Sequence, residues 1–257
     1  GSDIPAELQD QAARLHEQIV EAAAEADDEL IVKYLDGEEL TLDEIHRGLS
    51  IAVVSGKVVP VSCGSATQNV GVSLLQDAIV SYLPSPAATV EKARRVVDGS
   101  EEDVETISTG PLAALVFKTM ADPYVGKLTY FRAYSGTLQS DSRILNANKG
   151  EEERIGQLFF LFGKEQKPIK EVIAGDIGAV PKLQFTTTGN TLCDKDHPVV
   201  LPGIVFPHPV AFAALTPKTK ADLDKLSSAL ARLMEEDPTF VVRRDADTNE
   251  TVISGMG

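Results

Sequence analysis

Residues 112–147 read LAALVFKTMADPYVGKLTYFRAYSGTLQSDSRILNA. Short runs rich in Val, Leu, Thr, Tyr and Phe, at 112–120, 127–134 and 142–147, favour extended backbone, and two more, at 155–162 and 177–183, continue the pattern. Between them Asp122-Pro123, Ser135-Gly136, Gly175-Asp176 and Gly189-Asn190 supply the fixed or positive φ values that tight connections need. Many short strands with turn residues at regular intervals predict a small antiparallel barrel or sandwich, set here as a β-barrel over 111–205.

Upstream the period changes. Leu8, Ala12, Leu15, Ile19, Ala22 and Ala26 recur at spacings of three and four, which predicts an amphipathic helix over 5–26, capped by Asp3 with Pro5 in its first turn. A short second helix runs to Gly37. Thr41-Leu42-Asp43-Glu44 matches a capping box and opens a third helix burying Ile45, Leu49, Ala52 and Val53. A buried strand is predicted over 57–63, a loop over 64–71, and a helix with Val72, Leu75, Ala78, Ile79 and Tyr82 on one face until Pro84-Ser85-Pro86. Helix, strand, loop and helix in this order describe an α/β unit at its sheet edge. Residues 87–110 read as a linker with one helical turn around 90–97.

Downstream of Pro207, residues 210–215 are strand-like and Thr216-Pro217 has the form of an N-cap followed by a first-turn proline. Leu223, Leu226, Leu230 and Leu233 line one helix face, Asp237-Pro238 ends it, and 239–243 and 250–254 form two strands around the turn 245–249. The predicted fold is therefore multidomain: an α/β segment over 1–86, the linker 87–110, the barrel, and an incomplete α+β piece, βαββ, over 206–257. A βαββ piece closes a core poorly alone, so the sequence is expected to belong to a longer protein.

The 257 residues carry 24 Lys and Arg against 39 Asp and Glu, a formal charge of −15. The imbalance belongs to residues 1–110, with 7 basic and 21 acidic side chains, whereas 111–205 hold 11 and 10. Such a charge repels phosphate backbones and argues against a free-standing nucleic-acid binder, DNA included, but leaves the near-neutral middle segment open to RNA. The longest apolar run, 199–206, is broken by Pro202 and Gly203 and falls far short of the ~20 residues a membrane helix needs. No secretory signal opens the chain. Cys63 and Cys193 stand apart without metal-ligand spacing and read as reduced, cytosolic thiols.

Few motifs carry chemistry. The phosphate-binding pattern GxxxxGK[ST] is absent, because Ile51 precedes Gly56-Lys57 and Ala121 precedes Gly126-Lys127 where glycine is required. Asn148-Lys149-Gly150-Glu151 resembles a guanine-specificity pattern but reads as a polar hairpin turn. The four His are scattered, no GxSxG surrounds a serine, and Glu151-Glu152-Glu153 is most simply a solvated face. Gly64-Ser65-Ala66, predicted at the C-terminal end of a strand where open α/β sheets place ligands, would let backbone N–H groups approach a flat heterocycle, with Ser65 adding a hydroxyl. A plain tight turn is the alternative.

Taken together, YLDGEELT at 34–41, PVSCGSA at 60–66 and YLPSP at 82–86 resemble the end of the GTPase domain of bacterial elongation factor G. FKTMADPYVGKL at 117–128, RAYSGTL at 132–138, AGDI at 174–177 and TGNTLC at 188–193 are similar to that family's second domain, and LARL at 230–233, EDPTF at 236–240 and SGMG at 254–257 to the start of its ferredoxin-like third domain. QLFFLFGKEQ at 157–166 departs from the commoner pattern and resembles an elongation factor G-like paralogue.

The resemblance implies that Gly64, Ser65 and Ala66 are the remnant of a guanine-binding motif, with 1–55 the tail of an insertion in the GTPase domain. It implies that the barrel packs on the GTPase domain and touches small-subunit ribosomal RNA, with Arg132 and Lys149 as phosphate contacts, although single basic residues on a barrel are often merely solvated or ion-paired. The parent is expected to be a cytoplasmic, ribosome-associated GTP hydrolase using GTP, GDP and Mg²⁺ in translocation. This piece is expected to be neither an enzyme nor a tight nucleotide binder, since the phosphate loop, switches, magnesium ligands and NKxD motif are missing. Alternatives stay open: a non-catalytic barrel adaptor, or a ribosome-protection or release factor of the same superfamily. An α/β segment with exposed apolar edges further predicts self-association or a loose N-terminal third.

Overall fold

Two polar side chains set where helices begin in the N-terminal part of the computed structural model, which describes residues 4–122, 126–163 and 165–257. The chain divides into two compact units, Gly1–Ser85 and Pro86–Gly257. In the first, α1 spans Gln9–Ala24, α2 Asp28–Leu35, α3 Leu42–Val54 and α4 Val72–Tyr82. Asp27 caps α2 by accepting from the Glu29 and Leu30 N–H groups. The capping box opens α3 as predicted: Thr41 Oγ1 accepts from the Glu44 N–H, and the Glu44 carboxylate returns to the Thr41 N–H at 2.7 Å. That carboxylate also accepts from Lys33 Nζ at 2.8 Å, tying α3 to α2.

α1 crosses α3 at Gly48, where a Cβ would lie 2.3 Å from the Ala23 carbonyl oxygen, so only glycine permits the approach. Ala23, Ala24, Leu30, Ile45 and Ala52 are the buried apolar side chains of this unit. Several sequence expectations fail here. α1 begins at Gln9, after a 3₁₀ turn at Ala6–Leu8 that follows Pro5, and the Asp3 cap lies outside the described residues. Leu15 and Ile19 of the predicted stripe are about half exposed, and α4 buries none of its residues. The segment predicted as a buried strand, 57–63, forms no ladder and is largely exposed, Val61 by 91%. A strand exists by virtue of its neighbours, and the described residues of this unit supply none.

The second unit opens with another correction. Residues 87–110 are not a featureless linker with a helical turn: β1 (Val90–Arg95) and β2 (Glu101–Glu105) pair antiparallel. Their turn is built by Asp98, which accepts from the Ser100 N–H and hydroxyl, and by Gly99 in the left-handed region. Buried Ala93 and Val104 face inward on alternating positions, a short period-two signal that the surrounding charges hid.

The barrel strands follow: β3 (Ala113–Asp122), β4 (Gly126–Ser135), β5 (Thr137–Gln139), β6 (Arg143–Asn146), β7 (Glu151–Arg154), β8 (Leu158–Phe162), β9 (Glu165–Ile169), β10 (Glu171–Ile173), β11 (Ile177–Pro181), β12 (Thr191–Cys193) and β13 (Val199–Val200). Eight form one antiparallel sheet in the order β7-β6-β12-β3-β4-β11-β8-β9. β5 pairs with β10, and β13 joins β1. The curled, barrel-like sheet encloses Leu112, Val116, Phe131, Leu158, Val180 and Leu192. A bulge between Val116 and Lys118 bends β3, the usual way a sheet curls. At the Ser135-Gly136 turn, Gly136 has φ +73° and a Cβ would meet the Leu112 Cα at 2.6 Å. The turn expected at Asp122-Pro123 lies outside the described residues.

Six strands of this region, β5, β7, β9, β10, β12 and β13, escaped the sequence reading. β9 returns along β8, and β7 is made of the acidic run itself. Glu151 and Glu152 are exposed but Glu153 is only 3% exposed, so the run is not wholly a solvated face.

The C-terminal part consists of β14 (Ala211–Leu215), α5 (Lys220–Glu236), β15 (Val241–Arg244) and β16 (Thr251–Gly255), with strand order β14-β16-β15. This is the βαββ order predicted. The helix starts later than expected, after Thr219 rather than Thr216, with the Thr219 hydroxyl donating to Asp222 at 2.7 Å. Leu230 is buried, Leu233 is exposed, and Leu223 lies outside the described side chains. The Glu236 carboxylate accepts from the Ala121 N–H at 2.6 Å, joining the end of α5 to β3. Asp245 ties the β15–β16 turn by accepting from the Asp247 and Thr248 N–H groups.

Candidate functional site

Two candidate surfaces emerge, one in each unit. In the first, the Ser65 and Val70 N–H and C=O groups exchange two 3.0 Å hydrogen bonds, closing a tight loop around Ala66 to Asn69. Asn69 sits in the left-handed region with φ 55°, and the Asn69 N–H reaches the Ala66 carbonyl at 3.3 Å. Gly64 is required by geometry, because a Cβ there would meet the Val70 carbonyl oxygen at 2.6 Å. The loop borders a cavity of about 290 Å³ with Ser62, Cys63, Val72 and Leu75 among its walls.

This geometry narrows the chemistry predicted for Gly64, Ser65 and Ala66. The Ser65 N–H is consumed inside the loop, so the donors that Gly64, Ser65 and Ala66 keep for a ligand are the Gly64 and Ala66 N–H groups and the Ser65 hydroxyl. No carboxylate, imidazole or amine lines the cavity, whose titratable side chain is the free Cys63 thiol, and its backbone-rich wall is suited to holding a polar edge. The strand expected to deliver the loop is an exposed, unpaired segment instead.

On the barrel, Arg132 lies on β4 with its Cζ 4.6 Å from the centre of the Tyr134 ring, a cation–π contact that holds the guanidinium over the aromatic face. Lys149 is exposed at the tip of the β6–β7 turn. Its backbone is fixed, the Lys149 N–H donating to Asn146 Oδ1 at 3.2 Å and Gly150 taking φ +71°. The polar-turn reading of 148–151 therefore holds, but Arg132 and Lys149 are not neighbours: β12 and β3 lie between β6 and β4 in the sheet.

A buried polar network positions that turn, and the sequence reading missed it. The Glu153 carboxylate accepts from the Gln184, Phe185 and Thr186 N–H groups and the Thr186 hydroxyl, all within 3.0 Å. Thr186 Oγ1 accepts in turn from Asn146 Nδ2 at 3.1 Å, whose second bond goes to Asn190 Oδ1 at 3.0 Å. Buried polar atoms hold one geometry when each has its partners. The detectable signal was parity: Glu153 lies two residues before buried Ile155 and shares its face. Nearby, burial pushes the Cys193 thiol up from its ordinary value, which fits an inert core thiol. Among the described residues no three His, Cys, Asp or Glu side chains converge on a metal position, and no helix is long and apolar enough to cross a membrane.

A barrel-like antiparallel domain followed by a βαββ segment, and preceded in the chain by a helical unit with a backbone-lined loop, defines a multidomain α/β protein. Residues 111–195 match the family model of elongation factor G domain 2, and 206–257 match that of elongation factor G domain III. A crystal structure of a protein from Thermus thermophilus superposes with a TM-score of 0.79 at 30% sequence identity, over 100% of this chain and 36% of that one. The chain belongs to the elongation factor G family, and it spans about a third of the length of that solved relative.

Proposed function

We propose that this chain is part of a ribosome-associated translational GTPase of the elongation factor G type, acting in the cytoplasm during translocation. In this reading residues 1–86 are the C-terminal part of the GTPase domain, 111–205 its barrel and 206–257 the start of a third domain. The observation that carries it is the collinear match of 111–195 and 206–257 to consecutive domains of one translation factor. Ser65 and Ala66 would meet the guanine of GTP or GDP with a hydroxyl and an N–H, donors suited to a purine carbonyl edge. Bound GTP and Mg²⁺ supply the hydrolysable phosphate and the charge that organises it, through groups of the parent outside this chain. Arg132 and Lys149 would neutralise phosphates of small-subunit ribosomal RNA at two separate points.

Co-sedimentation of the chain with small ribosomal subunits across a salt series tests the partner. Binding is expected, with Arg132→Ala and Lys149→Ala each weakening it and each reducing the salt slope by about one. Absence of binding at low salt overturns the barrel's assigned partner, and unchanged slopes overturn the two residue roles. Calorimetric titration of GDP and GTP with Mg²⁺ is expected to show no saturable heat. Micromolar binding would overturn the placement of the phosphate-binding groups outside this chain.

A further inference from the structure

A cavity of about 320 Å³ on the barrel, which neither candidate surface uses, is lined by Asp141 before β6, by Arg154, Gly156 and Gln157 where β7 passes into β8, and by Pro181 and Lys182 at the end of β11. Its unengaged groups are mainly donors. Among the described residues the exposed Arg154 and Lys182 side chains make no ion pair, and the Gly156 and Gln157 N–H groups make no hydrogen bond. The Gln157 side-chain amide is spent, its Nε2 donating to the Leu158 and Ile169 carbonyls at 3.0 and 2.7 Å. One carboxylate opposes the two cations: Asp141, which makes no ion pair among the described residues either.

Two independent features bear on the same space. Arg154 stands directly opposite Arg143 across the β6–β7 ladder, and like charges so placed destabilise a sheet until an anion screens them. Glu152 reaches Arg143 at 3.8 Å but is held by Lys195 at 2.6 Å and makes no ion pair with Arg154. The backbone is strained here as well. Four described residues other than glycine take the left-handed conformation, and two of them, Asp141 with φ 60° and Lys182 with φ 63°, meet in this cavity. Aspartate visits that region readily, whereas lysine has no short polar side chain to compensate it. The Lys182 N–H, bonded to the Lys127 carbonyl at 2.8 Å, holds the strained residue in place, and strain retained in this way clusters at ligand sites.

We propose that this cavity binds a phosphate oxyanion, with Arg154 and Lys182 supplying the charge and the Gly156 and Gln157 N–H groups supplying hydrogen bonds. Donors brought from separate segments match an anion with several equivalent oxygens, and a guanidinium fork can donate to two of those oxygens at once. Asp141 works against the anion, so its removal should act with the opposite sign to removal of either cation. A free phosphomonoester and the backbone of an RNA share this chemistry. The site does not rest on the ribosomal reading above.

The test is chemical-shift perturbation in the isotope-labelled full chain, titrated separately with inorganic phosphate, glycerol 3-phosphate, oligouridylate lacking terminal phosphates, and chloride at matched ionic strength. Inorganic phosphate is expected to shift the Gly156 and Gln157 amides saturably, and chloride is not. Arg154→Ala and Lys182→Gly should each weaken phosphate at least ten-fold. Glycine suits the left-handed backbone at 182, so that variant removes the ammonium without threatening the fold. Asp141→Asn, equally at ease with its backbone, should tighten phosphate several-fold. Oligouridylate binding tighter than glycerol 3-phosphate through the same amides supports the RNA backbone as the source, and the reverse order supports a free phosphomonoester. No saturable shift, an equal response to chloride, undiminished binding by Lys182→Gly, or weaker binding by Asp141→Asn overturns the proposal.

Discussion

The barrel and the N-terminal helices are built from segments of comparable apolar content but enclose them differently. In the barrel, Phe131, Leu138, Ile155, Leu158, Val172 and Leu192 are all essentially inaccessible. In the first unit three of the five buried apolar side chains are alanines, while Leu15, Ile19, Leu74, Leu75 and Ile79 stay exposed. A helix satisfies its own backbone and persists with an uncovered apolar face, whereas a strand needs neighbours, and bringing them curls the sheet around its side chains. Compactness in this protein thus follows the hydrogen-bond accounting of the sheet more than the apolar content of the segments.

The contrast breaks most visibly at single core positions. Phe131→Ala is expected to cost about 3–5 kcal/mol in denaturant unfolding of the barrel, whereas Leu15→Ala in α1 should fall within about 0.5 kcal/mol. Similar costs for the two would mean that the helical unit has a core comparable to the barrel's. Gly48→Ala sharpens the point from the other side. Its methyl would collide with the Ala23 carbonyl, and a loss of about 1–3 kcal/mol, read by hydrogen exchange in α1 and α3, is expected. A neutral outcome would show that the α1–α3 crossing yields freely.

Local capping should matter next. Thr41→Ala is expected to cost about 1 kcal/mol of α3 stability, measured as lost protection of its first turn. The neighbouring Glu44 adds a pH signature, because the Lys33 ammonium and then the Thr41 N–H and hydroxyl hold its carboxyl at about 2 instead of 4.5. A carboxyl lowered on folding stabilises the folded form above its ordinary value and loses that contribution as pH falls from about 4.5 toward 2. Protection of α3 should therefore decline across that window, and Glu44→Gln should flatten the decline; an equally steep loss in the variant would assign it to other groups. The smallest effect on stability, and the sharpest on association, is expected from Leu15→Gln with Ile19→Gln. Sedimentation velocity of the unsubstituted chain should show self-association that this pair reduces. A monodisperse monomer with a well-protected first unit would sink the expectation that exposed apolar faces make it sticky.

Much of this was legible along the chain. Thr41 and Glu44 announced their helix because a capping box is a local exchange of hydrogen bonds, complete within four residues. Turns at Ser135-Gly136 and Gly175-Asp176 were legible for the same reason, since positive φ is a property of one residue. The β1–β2 hairpin was hidden by its charges, and Glu153 by its two acidic neighbours, although parity with Ile155 marked its face. Gly64, Ser65 and Ala66 could be singled out from sequence, but the consumption of the Ser65 N–H by the Val70 carbonyl could not, because it depends on the loop closing.

By itself, the sequence determined the four helices of the first unit, the strands β3, β4, β6, β8 and β11, the βαββ order of the C-terminal part, the helix start at Thr41 and the turns at Ser135-Gly136 and Gly175-Asp176, because period, caps and backbone φ are settled within a few residues. Tertiary structure alone decided that 57–63 stays exposed, that Glu153 is buried beneath the 184–186 loop, and that Arg132 and Lys149 stand at separate places on one sheet. Each of those depends on partners distant along the chain, and burial, unlike helical period, belongs to a pair of surfaces and to neither alone.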